Sequence, residues 1–399
     1  MPRRRDSWVF GLTLASAAAV LVSIAASQTL LAMACLAALI VRPRPVVWPS
    51  YVVPLCAFMG TTVLALWMSP EPEIGTAVVR KFVLFTMGLL ACFLVTTPER
   101  ARISIKALIV VAAGTSLYAF FQFGTAYYRY LSTQNLADDP TVLARITGFM
   151  GHWMTFSGVQ LLVWCAAVPA MLILRRRWMI PLGIIGAALV LSFTRSVWLG
   201  ALAGFAVLAV LMPRKLLVRT AVPIGIVALA ASGLILHRLS LSFQQERFAP
   251  DSDRIELFVG GVRMIQDHPL FGVGPERVHT EFPRYARSLP RYYGHLENNI
   301  VQIAAERGLL CLATFLWFIF ELYASFIAML KTATDDTRWV VLSSLSALTA
   351  FCVSGLFAYN FGDSEVLLLL LFIVSLPYGL RRAVPVVNPC PTDLVLIRN

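Results

Sequence analysis

The chain has 399 residues, of which 58% are hydrophobic and only 14% charged. A soluble domain carries about 25% charged residues, so a chain this long and this apolar must use lipid as its solvent. The formal net charge of +12 does not indicate nucleic-acid binding, because the basic residues lie in short clusters between apolar runs and form no basic domain. The seven cysteines have no CxxC spacing, so neither a zinc site nor a disulfide framework is expected.

Twelve apolar runs are candidate membrane spans, since a spanning helix needs about 20 apolar residues. In chain order they are 8–25, 27–41, 48–68, 76–95, 104–123, 155–174, 178–193, 196–212, 218–236, 308–330, 339–358 and 365–380. We therefore predict an all-α integral membrane fold of about twelve helices. Residues 1–236 hold the first nine spans, 237–299 form one large outer loop with short helices, 300–382 hold the last three spans, and 383–399 form a tail.

Basic clusters between the spans predict the topology. Each cluster follows an even number of spans, so all of them lie on the side of the amino terminus: Arg3/Arg4/Arg5, Arg42/Arg44, Arg100/Arg102, Arg175/Arg176/Arg177, Arg214/Lys215, Lys331/Arg338 and Arg381/Arg382. The positive-inside rule then places both termini in the cytoplasm of a bacterial inner-membrane protein, with the 237–299 loop in the periplasm.

The amino terminus has two interpretations. Arg3–Arg5 before an apolar stretch that ends at Ala25-Ala26-Ser27 resembles a cleaved signal peptide. However, a second apolar run and Arg42 follow at once, which favours a helical hairpin with both basic ends inside. We expect an uncleaved anchor.

The 237–299 loop carries eight arginines, no lysine and four of the five histidines. Guanidinium groups bind phosphate or carboxylate in a bidentate manner, whereas lysine acts as a point charge. Two interpretations stay open: the arginines bind an anionic ligand such as a diphosphate, or they pair with the eight carboxylates of the same loop. Within it, 254–264 has the apolar spacing of a short amphipathic helix, which His268-Pro269 ends.

Three further cations are candidates for an anion site. Arg195 lies at an outer hairpin with hardly any loop, close to the membrane plane, where charge is costly and usually functional. Arg80 and Lys81 lie on the outer half of the fourth span. Snorkelling to lipid headgroups is the alternative for all three.

His295 lies where the outer loop returns to the membrane, two residues before Glu297. An imidazole with a pKa near 6.5 can take a proton from a hydroxyl nucleophile, especially if a carboxylate orients it. The alternative is a histidine that only makes hydrogen bonds within the loop, and we assign that role to His268 and His279.

Four segments resemble the O-antigen ligase/polymerase family. They run from Arg145 to His152, from Thr194 to Gly200, from Asp253 to Pro275, and from His295 to Gly308. The order of the segments, the number of spans and the position of the loop all agree with that family.

The resemblance implies a metal-independent, inverting integral-membrane glycosyltransferase without a cofactor. Its donor would be a glycan on undecaprenyl diphosphate, and its acceptor lipid A-core or another glycan, with lipids around it and no nucleic acid. The positions of Arg195 and Arg254, with Arg80 and Lys81 as further candidates, would bind the diphosphate. The histidine of the last of these segments would act as a base on the acceptor hydroxyl or position that hydroxyl.

The sequence departs from the family pattern at one functional position. Members often have histidine directly before the asparagine at position 298, where this chain has Glu297. Either His295 is the functional imidazole, which we favour, or Glu297 has become the base. His152 is followed by Trp153-Met154 rather than Pro-Asn, which leaves its role open.

Several functions remain alternatives. A ligase that transfers the finished glycan to lipid A-core is favoured by the single loop of moderate size, while a polymerase would use the same donor. A secondary transporter or lipid-linked glycan exporter would place polar residues near the midplane, and Glu321 is the clearest solitary carboxylate within a span. A structural anchor for an envelope complex would tolerate the loss of His295 or Arg195.

Overall fold

The computed structural model describes residues 5–42, 48–135, 137–141, 144–230, 232–234, 236, 250–288, 290 and 294–381. Regular structure within these residues is helical, in agreement with the predicted all-α fold. The predicted tail 383–399 lies outside the described residues, together with these members of the predicted loop and basic clusters: Arg3, Arg4, Arg44, His237, Arg238, Arg247, Arg291 and Arg382.

The helices follow one another in this order: α1 (Arg5–Ala19), α2 (Ile24–Val41), α3 (Val52–Trp67), α4 (Thr76–Leu94), α5 (Pro98–Thr133), α6 (Trp153–Ala170), α7 (Met179–Leu191), α8 (Arg195–Leu211), α9 (Arg214–Ala230), α10 (Pro250–Asp267), α11 (Val278–Glu281), α12 (Asn299–Thr332), α13 (Asp335–Ser354) and α14 (Ser364–Leu380). Each predicted span overlaps one of them.

Within the described residues, six helices are long and apolar enough to cross a membrane: α2, α4, α5, α6, α12 and α13. Three shorter apolar helices, α3, α8 and α14, accompany them. The chain therefore fits a multi-pass membrane protein. The number of twelve spans, the sidedness of the termini and the periplasmic position of the loop stay predictions.

Three elements differ in extent from their predictions. Helix α5 has 36 residues and extends beyond 104–123 at both ends. Its amino-terminal end is fixed by Thr97, which caps the helix, and by Pro98 in the first turn. Helix α12 already begins at Asn299 and continues through a kink at Gly308. A 3-10 turn at Lys81–Phe85 interrupts α4, which an apolar run alone does not report.

Small residues bring α8 and α13 into close contact. A Cβ atom at Gly200 would lie 2.7 Å from the carbonyl oxygen of Ala350, and one at Gly204 would lie 2.9 Å from that of Ser346. The Ser346 hydroxyl donates to the carbonyl oxygen of Gly204 at 3.1 Å. This small-xxx-small packing, common between membrane helices, fixes α8 and thereby Arg195 at its first residue.

The segment after α10 docks on α12 through backbone hydrogen bonds. The N–H groups of Val273 and Gly274 donate to carbonyl oxygens on α12, and the N–H of Leu309 donates to the carbonyl oxygen of Pro269 at 2.7 Å. Gly308 permits this contact because its φ is +82° and a Cβ atom would overlap the Leu270 carbonyl. The predicted helix end at His268-Pro269 is confirmed, since α10 ends at Asp267.

We expect Gly308→Ala to destabilise the protein by at least about 2 kcal/mol, because alanine adds steric overlap to a disfavoured backbone conformation. Thermal unfolding in detergent measures this as a lower Tm. Gly114→Ala is the control, since Gly114 lies within α5 with nothing within 4 Å of a Cβ atom, and its Tm should stay equal or rise. Equal Tm values for both variants would contradict the docking argument.

Candidate functional site

Arg195 is the first residue of α8 and follows a connection of only three residues after α7. The indole N–H of Trp198 donates to the carbonyl oxygen of Leu189 at 2.9 Å and ties the two helices together. Phe193 in the connection has a positive φ of 49°. The hairpin thus holds an exposed guanidinium at a helix amino terminus, where the helix dipole disfavours a cation and attracts an anion.

Arg254 lies on α10 and reaches the chain segment that returns to α12. Its Nη2 donates to Oε2 of Glu297 at 3.2 Å. The other carboxylate oxygen of Glu297 lies 3.8 Å from Nδ1 of His295. Arg254, Glu297 and His295, all singled out from the sequence, therefore form one connected group.

Arg195 and Arg254 line a common groove between α8, α10 and the α13–α14 connection, in which an empty volume of about 700 Å³ lies next to one of about 770 Å³. Its apolar walls are formed by side chains that are between 42% and 65% exposed: Leu199, Ile255, Phe258, Leu356 and Phe357. Ser196, Leu296, Glu297 and Asn298 complete the lining. Two guanidinium groups at the head of an open apolar groove suit an amphiphile with an anionic head.

His295 lines an adjoining cleft that shares Ser196 with the groove. The cleft encloses about 460 Å³ of empty space, open solvent included. Its lining consists of His152, Met154, Gly158, Thr194, Ser196, Val197, His295, Ser354, Ala358, Tyr359, Asn360 and Asp363. The sequence-predicted Arg195, Arg254 and His295 are thus brought together around one junction.

The cleft favours the neutral form of His295. Burial lowers the pKa of its imidazole, and the charge of Glu297 opposes that shift. The ring of Tyr359 lies 6.0 Å from the His295 ring, centroid to centroid. A neutral imidazole with a carboxylate near one nitrogen is suited to accept a proton at the other.

Asp363, directly before α14, adds a carboxyl group to the cleft. The Thr155 hydroxyl donates to its Oδ2 at 3.1 Å. Burial raises the pKa of Asp363 to about 6, while the Thr155 bond and the charge of Lys81 oppose the shift. The Lys81 ammonium donates to the carbonyl oxygen of Gly362 at 3.0 Å and so lies beside this carboxyl group. Arg80 is exposed and is not among the residues that line the groove or the cleft.

His152 faces the same cleft from the start of α6. Its Nδ1 accepts the backbone N–H of Met154 at 3.2 Å, which caps the helix. Its ring packs on the Trp153 ring at 4.0 Å between centroids. The guanidinium of Arg145 lies over the Trp153 ring, 5.0 Å from the ring centroid. Burial and the nearby charges of His295 and Arg145 lower the pKa of His152.

Two asparagines hold the α13–α14 connection against the start of α12. Asn298 caps α12 and donates to the carbonyl oxygen of Leu356 at 2.8 Å. Asn299 donates to the side chain of Asn360 at 2.7 Å and accepts the N–H of Phe361 at 3.1 Å. These bonds position Tyr359 and Asp363, which follow in the same connection, opposite His295.

The buried pair Gln302 and Glu306 holds the outer loop on α12. Gln302 accepts the N–H of Leu296 at 2.7 Å and donates to Glu306 at 2.8 Å. The other oxygen of Glu306 accepts the N–H of Glu276 at 2.7 Å. The residues beside His295 and the segment before α11 are thereby held by a single amide–carboxylate pair.

Most other loop arginines that the structure describes have carboxylate partners. Arg277 contacts Glu281 at 2.7 Å, and Arg284 contacts the other oxygen of Glu281 at 2.6 Å. Arg263 lies 3.6 Å from Glu256. For these three arginines the geometry supports the pairing interpretation of the sequence, whereas Arg254 has a carboxylate partner and lines the groove as well.

The matched family agrees with this geometry. A family model described as O-Antigen ligase matches residues 179–316, a range that holds Arg195, Arg254, His295 and Glu297. The match supports the O-antigen ligase/polymerase family for this chain. It also supports, at a coarse level, a glycosyltransferase-like enzyme that acts on lipid-linked glycans in the membrane. Among curated proteins no match was found.

The sequence pattern does not assign Asp363, Tyr359 or Thr155 to the site. In the sequence Asp363 is only an acidic residue two positions before the predicted span 365–380. Asp363 reaches the cleft because Asn298 and Asn299, at the start of α12, hold the α13–α14 connection that carries it. A sequence pattern does not report a contact between segments so far apart in the chain. Glu321, the solitary carboxylate within a span, accepts a hydrogen bond from Ser325 one turn further along α12 at 3.0 Å.

Proposed function

We propose that the protein transfers a glycan from undecaprenyl diphosphate to a hydroxyl group of lipid A-core at the periplasmic face of the inner membrane. One observation carries the proposal: two guanidinium groups from separate helices line an apolar groove that joins the cleft of His295 at Ser196. Such a site can receive a polyprenyl diphosphate and place its first sugar beside an imidazole.

The groove supplies both kinds of contact that the donor requires. Arg195 and Arg254 offer forked N–H donors to the diphosphate oxygens, and the amino terminus of α8 adds a favourable dipole. Ile255, Phe258 and Phe357 offer apolar surface to the polyprenyl chain. Lys81, placed beside Asp363, would extend the cationic surface on the far side of the cleft.

The reaction then needs no group beyond these side chains. The acceptor oxygen bonds to the anomeric carbon while its proton passes to His295. The bond between that carbon and the phosphate oxygen breaks, and the electron pair leaves on the diphosphate. The two arginines stabilise the charge that develops there. Attack from the cleft and departure toward the groove lie on opposite sides of the anomeric carbon, which inverts its configuration.

We expect Arg195→Ala, Arg254→Ala and His295→Ala each to reduce transfer at least about 100-fold without reducing the protein level. Arg→Lys at positions 195 and 254 should restore little, because lysine lacks the fork. Glycan transfer is measured with purified protein and a defined undecaprenyl-diphosphate glycan.

The matched control is Arg284→Ala. Arg284 belongs to the same loop but is exposed and contacts Glu281, which keeps its bond to Arg277. Its transfer rate should equal that of the wild type. Wild-type rates in the Arg195, Arg254 and His295 variants would refute the assignment of these residues.

We expect kcat/KM to fall at acid pH with a midpoint below the ordinary histidine pKa of about 6.5, since the His295 imidazole must be neutral to accept a proton and burial lowers its pKa. Glu297→Gln removes a negative charge that raises this pKa. The acid limb should therefore move to lower pH while activity at neutral pH is retained. Rates across a pH series measure both effects.

Asp363→Asn tests which of the two cleft residues, His295 or Asp363, produces the acid limb. Asp363 is a candidate because burial raises its pKa to about 6. The acid limb should persist in this variant. Its disappearance would assign the limb to Asp363, and loss of all activity in Glu297→Gln would instead make Glu297 the base.

We expect lipid A-core to be glycosylated in preference to a repeat unit on its lipid carrier when both acceptors compete in reconstituted vesicles. The products are separated by mass, and the donor is held saturating. Extension of the carrier-bound repeat unit instead would identify a polymerase that uses the same donor site.

A further inference from the structure

The two chambers that meet at Ser196 differ in chemistry. The groove is lined mostly by apolar side chains, together with Arg195, Arg254 and the carboxylate of Glu297, which is paired with Arg254. The residues that line the cleft include no arginine or lysine, but they include a carboxyl group, Asp363, and two histidines. In the groove two guanidinium groups outweigh the charge of Glu297, whereas the carboxyl group of the cleft has no arginine or lysine among the lining residues and would repel a diphosphate. Sugar hydroxyls can bind carboxylate, imidazole and phenol groups alike. The cleft therefore suits an uncharged polyhydroxyl compound rather than the head of the donor.

The hydrogen bond that caps α6 fixes the tautomer of His152. Because Nδ1 accepts the N–H of Met154 at 3.2 Å, that nitrogen carries no proton, and the proton of the neutral ring must be on Nε2. Burial and the charges of His295 and Arg145 lower the pKa of His152, which favours the neutral form. The imidazole therefore has one N–H donor available beyond its cap, and it cannot accept a proton there.

The ring of His152 is also held in place. It is fixed by the cap at one nitrogen and by the Trp153 ring at 4.0 Å, with Arg145 stacked on that ring. The loop that carries it is anchored on α5, since Gln122 donates to the carbonyl oxygen of Gly148 at 2.9 Å and accepts its N–H at 2.9 Å. A donor held by its surroundings loses little conformational entropy when it binds a ligand oxygen.

We propose that the polar cleft is the binding site for the terminal sugar of the acceptor, and that His152 donates a hydrogen bond to one of its oxygens. This assignment rests on the proposed function and gives the two histidines different roles. His295 accepts the proton of the attacking hydroxyl, while His152 holds a neighbouring oxygen of the same sugar. The acceptor thereby enters on the side of Ser196 opposite the two arginines.

The test uses His152→Asn and His152→Ser in the full-length protein. Asparagine and serine are good N-cap residues, so both keep the bond to Met154. Their side chains are shorter than that of histidine, so neither places a donor at the position of Nε2. With purified rough lipopolysaccharide as the acceptor, we expect its KM to rise about three- to tenfold, the loss of one hydrogen bond. The donor KM and kcat at saturating acceptor should stay within about twofold, since only binding shared by ground state and transition state is lost.

His268→Asn is the control, because His268 is exposed, lies in the 237–299 loop that also holds His295, and does not line the cleft. Its kinetic constants should equal those of the wild type. A raised donor KM in the His152 variants would place the donor sugar in the cleft and overturn the proposal. An unchanged acceptor KM, or a loss confined to kcat, would overturn it as well.

Failure of this inference can be told from failure of the proposed function. If the wild-type protein transfers no glycan, the proposed function itself is wrong. If the wild type transfers glycan and the Arg195, Arg254 and His295 variants do not, while both His152 variants keep the wild-type acceptor KM, only the assignment of the acceptor site fails.

Discussion

The arrangement of the site depends on the amide and carboxylate of Gln302 and Glu306. Both side chains are almost fully buried, and a buried carboxylate is stable only when its oxygens are well hydrogen-bonded. Here the bonds go to Gln302 and to the backbone N–H of Glu276, while Gln302 also binds the N–H of Leu296. Two distant parts of the outer loop are thus attached to one turn of a membrane helix, and His295 and Glu297 lie directly beside the attachment.

Arg277 and Arg195 lie in two distinct environments. Arg277 is buried in a pair with Glu281 one turn further along the chain, and its Nη1 donates to the carbonyl oxygen of Val273. Arg195, by contrast, lies exposed at a helix amino terminus, where a cation gains nothing from the dipole. Arg195 lines the open groove, whereas Arg277 satisfies a buried carboxylate.

Much of this architecture could be predicted from the sequence. The apolar runs located the helices and singled out Arg195 and His295 by their positions, while the resemblance to the ligase/polymerase family pointed to Arg254 and to the departure at Glu297. The functions of Asn298, Asn299, Gln302 and Glu306 in holding the loop could not be foreseen, because each depends on which backbone group a distant segment brings within reach. Asp363 was missed for the same reason, and the 3-10 turn in α4 leaves no trace in an apolar pattern.

The hairpin before α8 has a consequence for the surrounding lipid. With three connecting residues, an indole bond across the turn and glycines pressed against α13, Arg195 cannot slide along the bilayer normal to follow a ligand. If the protein has the proposed function, the diphosphate of the lipid carrier must lie at the depth in the bilayer at which Arg195 is held. The hydrophobic thickness of the membrane then becomes part of substrate recognition, since a bilayer that is too thick or too thin displaces the lipid head from the guanidinium.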